Sequence, residues 1–181
     1  MTWLPSGPDF TPRGNVDPPP KWLDLIERRP DLDSRQAEPL KVKMTAGKFM
    51  RMYQVQTAVN SRVKYVRDHG DDWRIADTEG DCEGFALAKM VRLLGYGWHR
   101  GALRMTLCYV FLPDRWQAYA VLQIETDHGT WVLDNRMKYP RLWTRLPYRW
   151  LWRERPGGET WERLLNTDGP ALTPATAGGH E

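Results

Sequence analysis

Cysteine is nearly missing from this 181-residue chain. Only Cys82 and Cys108 occur, which excludes a disulfide framework and a cysteine-rich zinc cluster. A single Cys82–Cys108 bridge stays open, because sequence does not give their separation. Long apolar runs are missing too. Mean hydropathy is −0.65, and no stretch approaches the roughly 20 apolar residues of a membrane-spanning helix. The opening MTWLPSGPDFTPRG lacks the basic-then-apolar order of a secretory signal. The expectation is therefore no membrane, and a protein that is cytoplasmic or assembled into a particle. Strong charge of one sign is also absent, since 26 basic against 23 acidic side chains leave +3.

What is present suits one domain with residues to spare. A hydrophobic content of 41% excludes wholesale disorder. The basic side is mostly arginine, 19 Arg against 7 Lys, and residues 136–163 alone carry eight basic and three acidic side chains. That stretch reads as a patch for nucleic acid or an acidic partner, or as the solvated face of terminal strands. Large aromatics and prolines interrupt it and no nucleic-acid reader motif occurs, so a nucleic-acid partner ranks last. Ten tryptophans are the composition's oddest feature, and most belong in a core or between strands.

Residues 1–45 read as an extended, proline-rich arm. Pro5, Pro8, Pro12 and the run Pro18-Pro19-Pro20 disfavour helix and central strand. Trp3, Leu4, Phe10, Trp22, Leu23, Leu25 and Ile26 give the arm apolar anchors for its own domain or for another chain. Residues 166–181, rich in Gly, Pro, Thr and Ala, read as a mobile tail. Between them, residues 46–165 are well patterned. Met52, Val55, Val59, Val63 and Val66 recur at helical spacing and predict a helix over 46–69, ended by Gly70-Asp71-Asp72. A second helix spans 82–94, with Gly95 and Gly97 placed for its C-terminal cap. The period then changes to two. Strands are expected over 103–111, 117–125, 130–134 and 147–153, the middle pair joined by the turn Asp127-His128-Gly129, and the last with Tyr148, Trp150 and Trp152 on one side. Helices followed by an antiparallel sheet make an α+β domain.

Cys82 follows Gly80-Asp81 and opens the second helix, where the positive end of the helix dipole favours thiolate. A lone cysteine there is also a common buried apolar residue. Tyr119 and Asp134 lie 15 residues apart on the two arms of the hairpin and share a face if odd positions pair with even ones. A helix-borne Cys, a strand-borne residue and a neighbouring Asp is the layout of a thiol triad, in which a base takes the thiol proton and the acid holds the base.

The boxes GDCEGFALAK (80–89), Leu103-Arg104, YAVL (119–122) and WVLDN (131–135) occur in that order. With Val59-Asn60, Asp71-Asp72-Trp73, Leu146-Pro147-Tyr148-Arg149-Trp150 and Trp161, they resemble the bacterial transglutaminase-like cysteine proteinases over about residues 45–164. That family includes calcium-dependent periplasmic proteases that release adhesins. The resemblance implies a papain-like or transglutaminase-like α+β fold, with helices packed on an antiparallel sheet. It implies Cys82 as nucleophile and Asp134 as orienting acid, and it places Tyr119 where the family has its base histidine. A phenol, with a pKa near 10, is a poor base at neutral pH. General-base catalysis is worth roughly 10²–10⁴-fold, so its loss is costly. His128, nine residues along the strand from Tyr119, is about 30 Å of extended chain away. His99, His69 and His180 read as surface residues. The resemblance further implies calcium at Asp81 and Glu83, although Gly84 stands where the family often has a third acid. The rival reading makes Asp81 a helix cap and Glu83 a first-turn acid.

The leading expectation is a degenerate, non-catalytic or strongly impaired cysteine-peptidase homologue. It would be kept as a binding or structural module for a protein partner, for example in a phage particle. The rival is an active peptidase that uses Cys82 with a non-standard base on a polypeptide substrate.

Overall fold

The computed structural model describes residues 4–67 and 72–164. His69, His180, Gly70, Asp71 and the expected tail at 166–181 lie outside the described residues. Seven strands form one antiparallel sheet: β1 (Gly14–Val16), β4 (Leu103–Leu112), β5 (Arg115–Thr126), β6 (Gly129–Leu133), β7 (Arg141–Leu142), β8 (Arg149–Glu154) and β9 (Trp161–Arg163). Their order across the sheet is β1-β9-β8-β4-β5-β6-β7. Two short strands, β2 (Lys64–Tyr65) and β3 (Glu79–Gly80), pair in parallel beside it. Helices α1 (Pro20–Arg28), α2 (Ala46–Arg62) and α3 (Cys82–Gly95) complete the described α+β fold. None of these helices is long and apolar enough to cross a membrane.

Alternation along the strands builds two buried layers. Leu103, Met105, Leu107, Leu122, Ile124 and Leu133 are almost wholly excluded from water. The helices cover this face, with Phe49 of α2 edge-on to Trp131. Capping fixes the helix ends. Thr45 Oγ1 accepts from Lys48 N at the start of α2, and Asp81 Oδ1 accepts from Gly84 N at 2.9 Å at the start of α3. At the end of α3, Gly97 N donates to Leu94 O and Trp98 N to Leu93 O, with Gly97 at φ +79°. This is the left-handed cap expected from the glycine spacing.

Three expectations change. The helix over 46–69 stops at Arg62, because Val63 turns extended and Lys64–Tyr65 pair with Glu79–Gly80. Val66 is accordingly exposed. Proline did not exclude helix from the arm. α1 begins on Pro20, whose missing N–H is no loss at the first helical position. It buries Trp22, Leu25 and Ile26, with Trp22 packed on Trp73 and Trp161. Most of the arm's described anchors thus close onto its own domain: Phe10 lies on Trp143 and Trp150, and Val16 pairs with Trp161, while Leu23 is exposed and Trp3 lies outside the described residues. Finally, Trp150 and Trp152 do not share a side. Trp150 sits opposite Cys108 and Trp152 opposite Leu107, because Leu151 is an extra residue in β8.

The basic stretch is not uniformly solvated either. Arg153 is 2% exposed and bonds to Glu125 at 2.6 Å, Glu162 at 2.7 Å and Gln123 at 3.0 Å. Tryptophans 22, 73, 98, 131, 150 and 161 are buried, as their number suggested. Both cysteines are free thiols.

Candidate functional site

The site forms where the sheet loses a partner. β6 ends at Leu133 opposite Leu122, so β5 from 115 to 121 is paired only with β4. The N-terminus of α3 fills the vacated position beside Ala120. There Ala120 N–H, turned away from β4, donates to Cys82 Sγ at 3.4 Å. Cys82 is 7% exposed. Its thiol donates to Glu83 Oε2 at 3.0 Å. Burial first, then the charge and hydrogen bond of Glu83 and the charge of Asp81, push the thiol well above its ordinary range, against a smaller lowering by Ala120 N–H. Glu83 is itself buried, and burial together with Asp81 raises its carboxyl to about 7. The expected depression of the thiol by the helix dipole therefore loses to desolvation and two carboxylates.

Tyr119 and Asp134 are in this neighbourhood: the charges of Cys82, Asp134 and Tyr65 all act on the Tyr119 phenol. The register pairs odd with even positions, which puts 134 on the same sheet face as 119. The hydrogen bonds run elsewhere than along a Cys–base–acid relay. Tyr119 Oη donates to Asn135 Oδ1 at 2.7 Å. Burial is the main cause that raises the Tyr119 phenol far above its ordinary range. Asp134, 1% exposed, accepts from Arg136 N at 2.8 Å and from Tyr148 Oη. Among the groups acting on the Cys82 thiol there is no imidazole of a described residue. His128 is in the β5–β6 turn, where its carbonyl accepts from Gly7 N, and His99 is exposed beyond the far end of α3.

Several residues of the site received no role from sequence, although Asn60 and Tyr148 stand in stretches that carry the family resemblance. Gln56 and Asn60, one turn apart on α2, each donate to the carbonyls of Asp134 and Met137 at 2.7–3.2 Å, clamping the loop that carries Asp134 and Asn135. Their signal was two amides at i and i+4 in an otherwise apolar stripe. Tyr148 looked like one more strand aromatic. Lys89, two turns along α3 from Cys82, is fully buried and its Nζ makes no hydrogen bond. Desolvation lowers this amine to about 7, opposed by the charge of Asp134.

Among the described residues, the donors around Cys82 do not make a calcium cage. Calcium takes six to eight oxygens. Asp81 Oδ1 caps α3, and the Glu83 carboxylate is buried against the thiol. A side chain at Gly84 would crowd Arg74 O at 3.1 Å and Ala76 Cβ at 3.2 Å. Among the described residues, no three His, Cys, Asp or Glu come together to hold a metal.

A family model described as bacterial transglutaminase-like cysteine proteinase matches residues 13–168. Solved structures of Legionella pneumophila LapG share the fold. The calcium-bound form aligns with a TM-score of 0.56 at 22% identity, covering 84% of this chain and 82% of that one. A second LapG structure gives 0.52 at 23% identity over 74% and 70%. The EGTA-treated form gives 0.51 at 23% identity over 68% of each chain. A comparison with curated proteins finds no match.

Proposed function

This chain belongs to the bacterial transglutaminase-like cysteine proteinase family, and we propose that it serves there as a polypeptide-binding module whose catalytic chemistry is strongly impaired. The observation that carries this reading is the engagement of the two groups a thiol peptidase needs free. The thiol of Cys82 is held on Glu83 Oε2, and the phenol of Tyr119, the residue before the Ala120 that donates to the thiol, is held on Asn135 Oδ1. Burial raises the pKa of this phenol, so at neutral pH it stays protonated even more fully than a free one and supplies no phenolate to take the thiol proton. Asp134, committed to Tyr148 and to Arg136 N, orients neither. In a calcium-bound relative the ion belongs to that protein. Here Asp81 and Glu83 supply too few free oxygens, and no step of the proposal uses a metal.

One contact favours a second reading, an active peptidase with Glu83 as base, because its carboxylate already accepts the thiol proton at 3.0 Å. The electrostatics oppose it. A carboxyl near 7 beside a thiol raised well above its ordinary range leaves the shared proton on sulfur at neutral pH. Alkylation of Cys82 by iodoacetamide followed against pH, with turnover of unstructured polypeptide by wild type and Cys82→Ala, separates the two. The proposal expects an apparent thiol pKa above 9 and no turnover in either protein. A midpoint below 8 with turnover lost in Cys82→Ala contradicts it.

A further inference from the structure

The unpaired edge of β5 continues beyond the thiol as a cleft of about 390 Å³, lined by Tyr65, Arg67, Leu112, Arg115, Gln117, Tyr119, Asn135 and Arg136. Three features of this cleft converge. First, its lining holds three guanidinium groups and no carboxylate. Several other arginines are matched, Arg29 with Asp31, Arg35 with Asp33, Arg62 with Asp77, Arg74 with Asp72, Arg100 with Glu154 and Arg153 with Glu125, but here three unmatched ones line one cleft. No described residue forms an ion pair with Arg67, Arg115 or Arg136, and Arg136 instead lies 5.7 Å from the centre of the Tyr119 ring. Three like charges around one small space repel each other unless an anion occupies it.

Second, the floor of the cleft is backbone able to pair. Ala120 N–H points away from β4. By the alternation of an antiparallel ladder, Ala118 and Trp116 turn their N–H and C=O groups to the same open side. A sheet edge of this kind is a template for an extended peptide. Third, the edge leads along one strand to Cys82, the position at which the family's chemistry is done.

We propose that this edge takes an extended acidic polypeptide segment, which adds as a strand along residues 115–119 and seats its Asp and Glu side chains on Arg67, Arg115 and Arg136. Guanidinium forks suit carboxylates in pairs. The exposed main-chain edge favours a polypeptide over a nucleic acid, whose backbone offers no matching N–H donors. The inference rests on the binding-module reading and names its partner class.

The test is fluorescence anisotropy with a labelled octapeptide of alternating Glu and Ala, its Gln–Ala counterpart and a labelled twelve-residue oligothymidylate. Wild type and Cys82→Ala are both used, so that turnover cannot mask binding. The expected result is binding of the acidic octapeptide alone, weakened by salt. Each of Arg67→Gln, Arg115→Gln and Arg136→Gln should weaken it about two- to five-fold, and the triple substitution should abolish it. Ala118→Pro, which removes only an N–H facing the open side, should also abolish it with the thermal midpoint retained. Arg145→Gln, exposed and outside the cleft, should change nothing. Equal binding of the Gln–Ala peptide, binding that survives the triple substitution, or tighter binding of the oligonucleotide overturns the proposal. Cleavage of the acidic peptide by wild type, with the same binding retained in Cys82→Ala, would overturn the impaired-catalysis reading and leave this inference standing.

Discussion

Tyr119 Oη gives its proton to Asn135 Oδ1 at 2.7 Å, while Asp134, the next residue back, is held by Tyr148 and Arg136 N. The loop that carries Asp134 and Asn135 thereby holds a phenol still. Gln56 and Asn60 fix that loop from behind, so the arrangement is a built one and not a loose end.

Glu83→Gln distinguishes an electrostatic burden on the thiol from a catalytic base. Glu83 raises the Cys82 pKa both through its charge and through its hydrogen bond. Removing the charge should move the alkylation midpoint of Cys82 to lower pH and speed alkylation at pH 8. Slower alkylation at every pH would show that the carboxylate was serving as the base.

Calcium should leave this protein unchanged. Thermal unfolding in 1 mM calcium and in EGTA is expected to give the same Tm, because Asp81 is occupied as a cap and Glu83 is buried on the thiol. Gly84→Asp should lower Tm in both conditions, since its side chain meets Arg74 O and Ala76. A calcium-dependent rise of several degrees in wild type would contradict the reading of this loop.

Lys89 ties stability to pH. Its amine titrates near 7 in the fold, against about 10.4 in the unfolded chain. Between those values the unfolded state binds more protons, so this group makes stability rise with pH through that window. Below about 7 both states are protonated and the full burial penalty is present. Lys89→Met should therefore stabilise by about 1–4 kcal/mol at pH 6, with the gain fading by about pH 10.5. Denaturant unfolding at a series of pH values checks this. An equal loss of stability at all pH values would mean that the amine is needed to balance Asp134.

Much of this molecule was readable in its sequence, and the remainder fails for physical reasons. Local signals carried α3 whole: an Asp cap, an apolar face and a glycine at positive φ. The β4–β5–β6 meander followed from alternation and from the Asp127-His128-Gly129 turn. The placement of Cys82 near Tyr119 and Asp134 came from that register together with the family resemblance. What local signals could not carry was partnership at a distance. The thiol's attachment to Glu83, that of Tyr119 to Asn135 and that of Asp134 to Tyr148 are choices among several nearby groups, and only packing decides them. The helix in the arm was hidden because a proline run disfavours helix interiors yet suits a helix's first residue. The Leu151 bulge was hidden because one extra residue in a strand leaves no mark on composition.

The most direct measurement is the rate of Cys82 alkylation at pH 7 in wild type, Tyr119→Phe and Tyr119→His. If the phenol stands where a base is needed, the His variant should react roughly 10²-fold faster or more, with a lower pH midpoint, while the Phe variant matches wild type. Equal rates in all three proteins would show that position 119 does not serve the thiol, and the account of the site would fall.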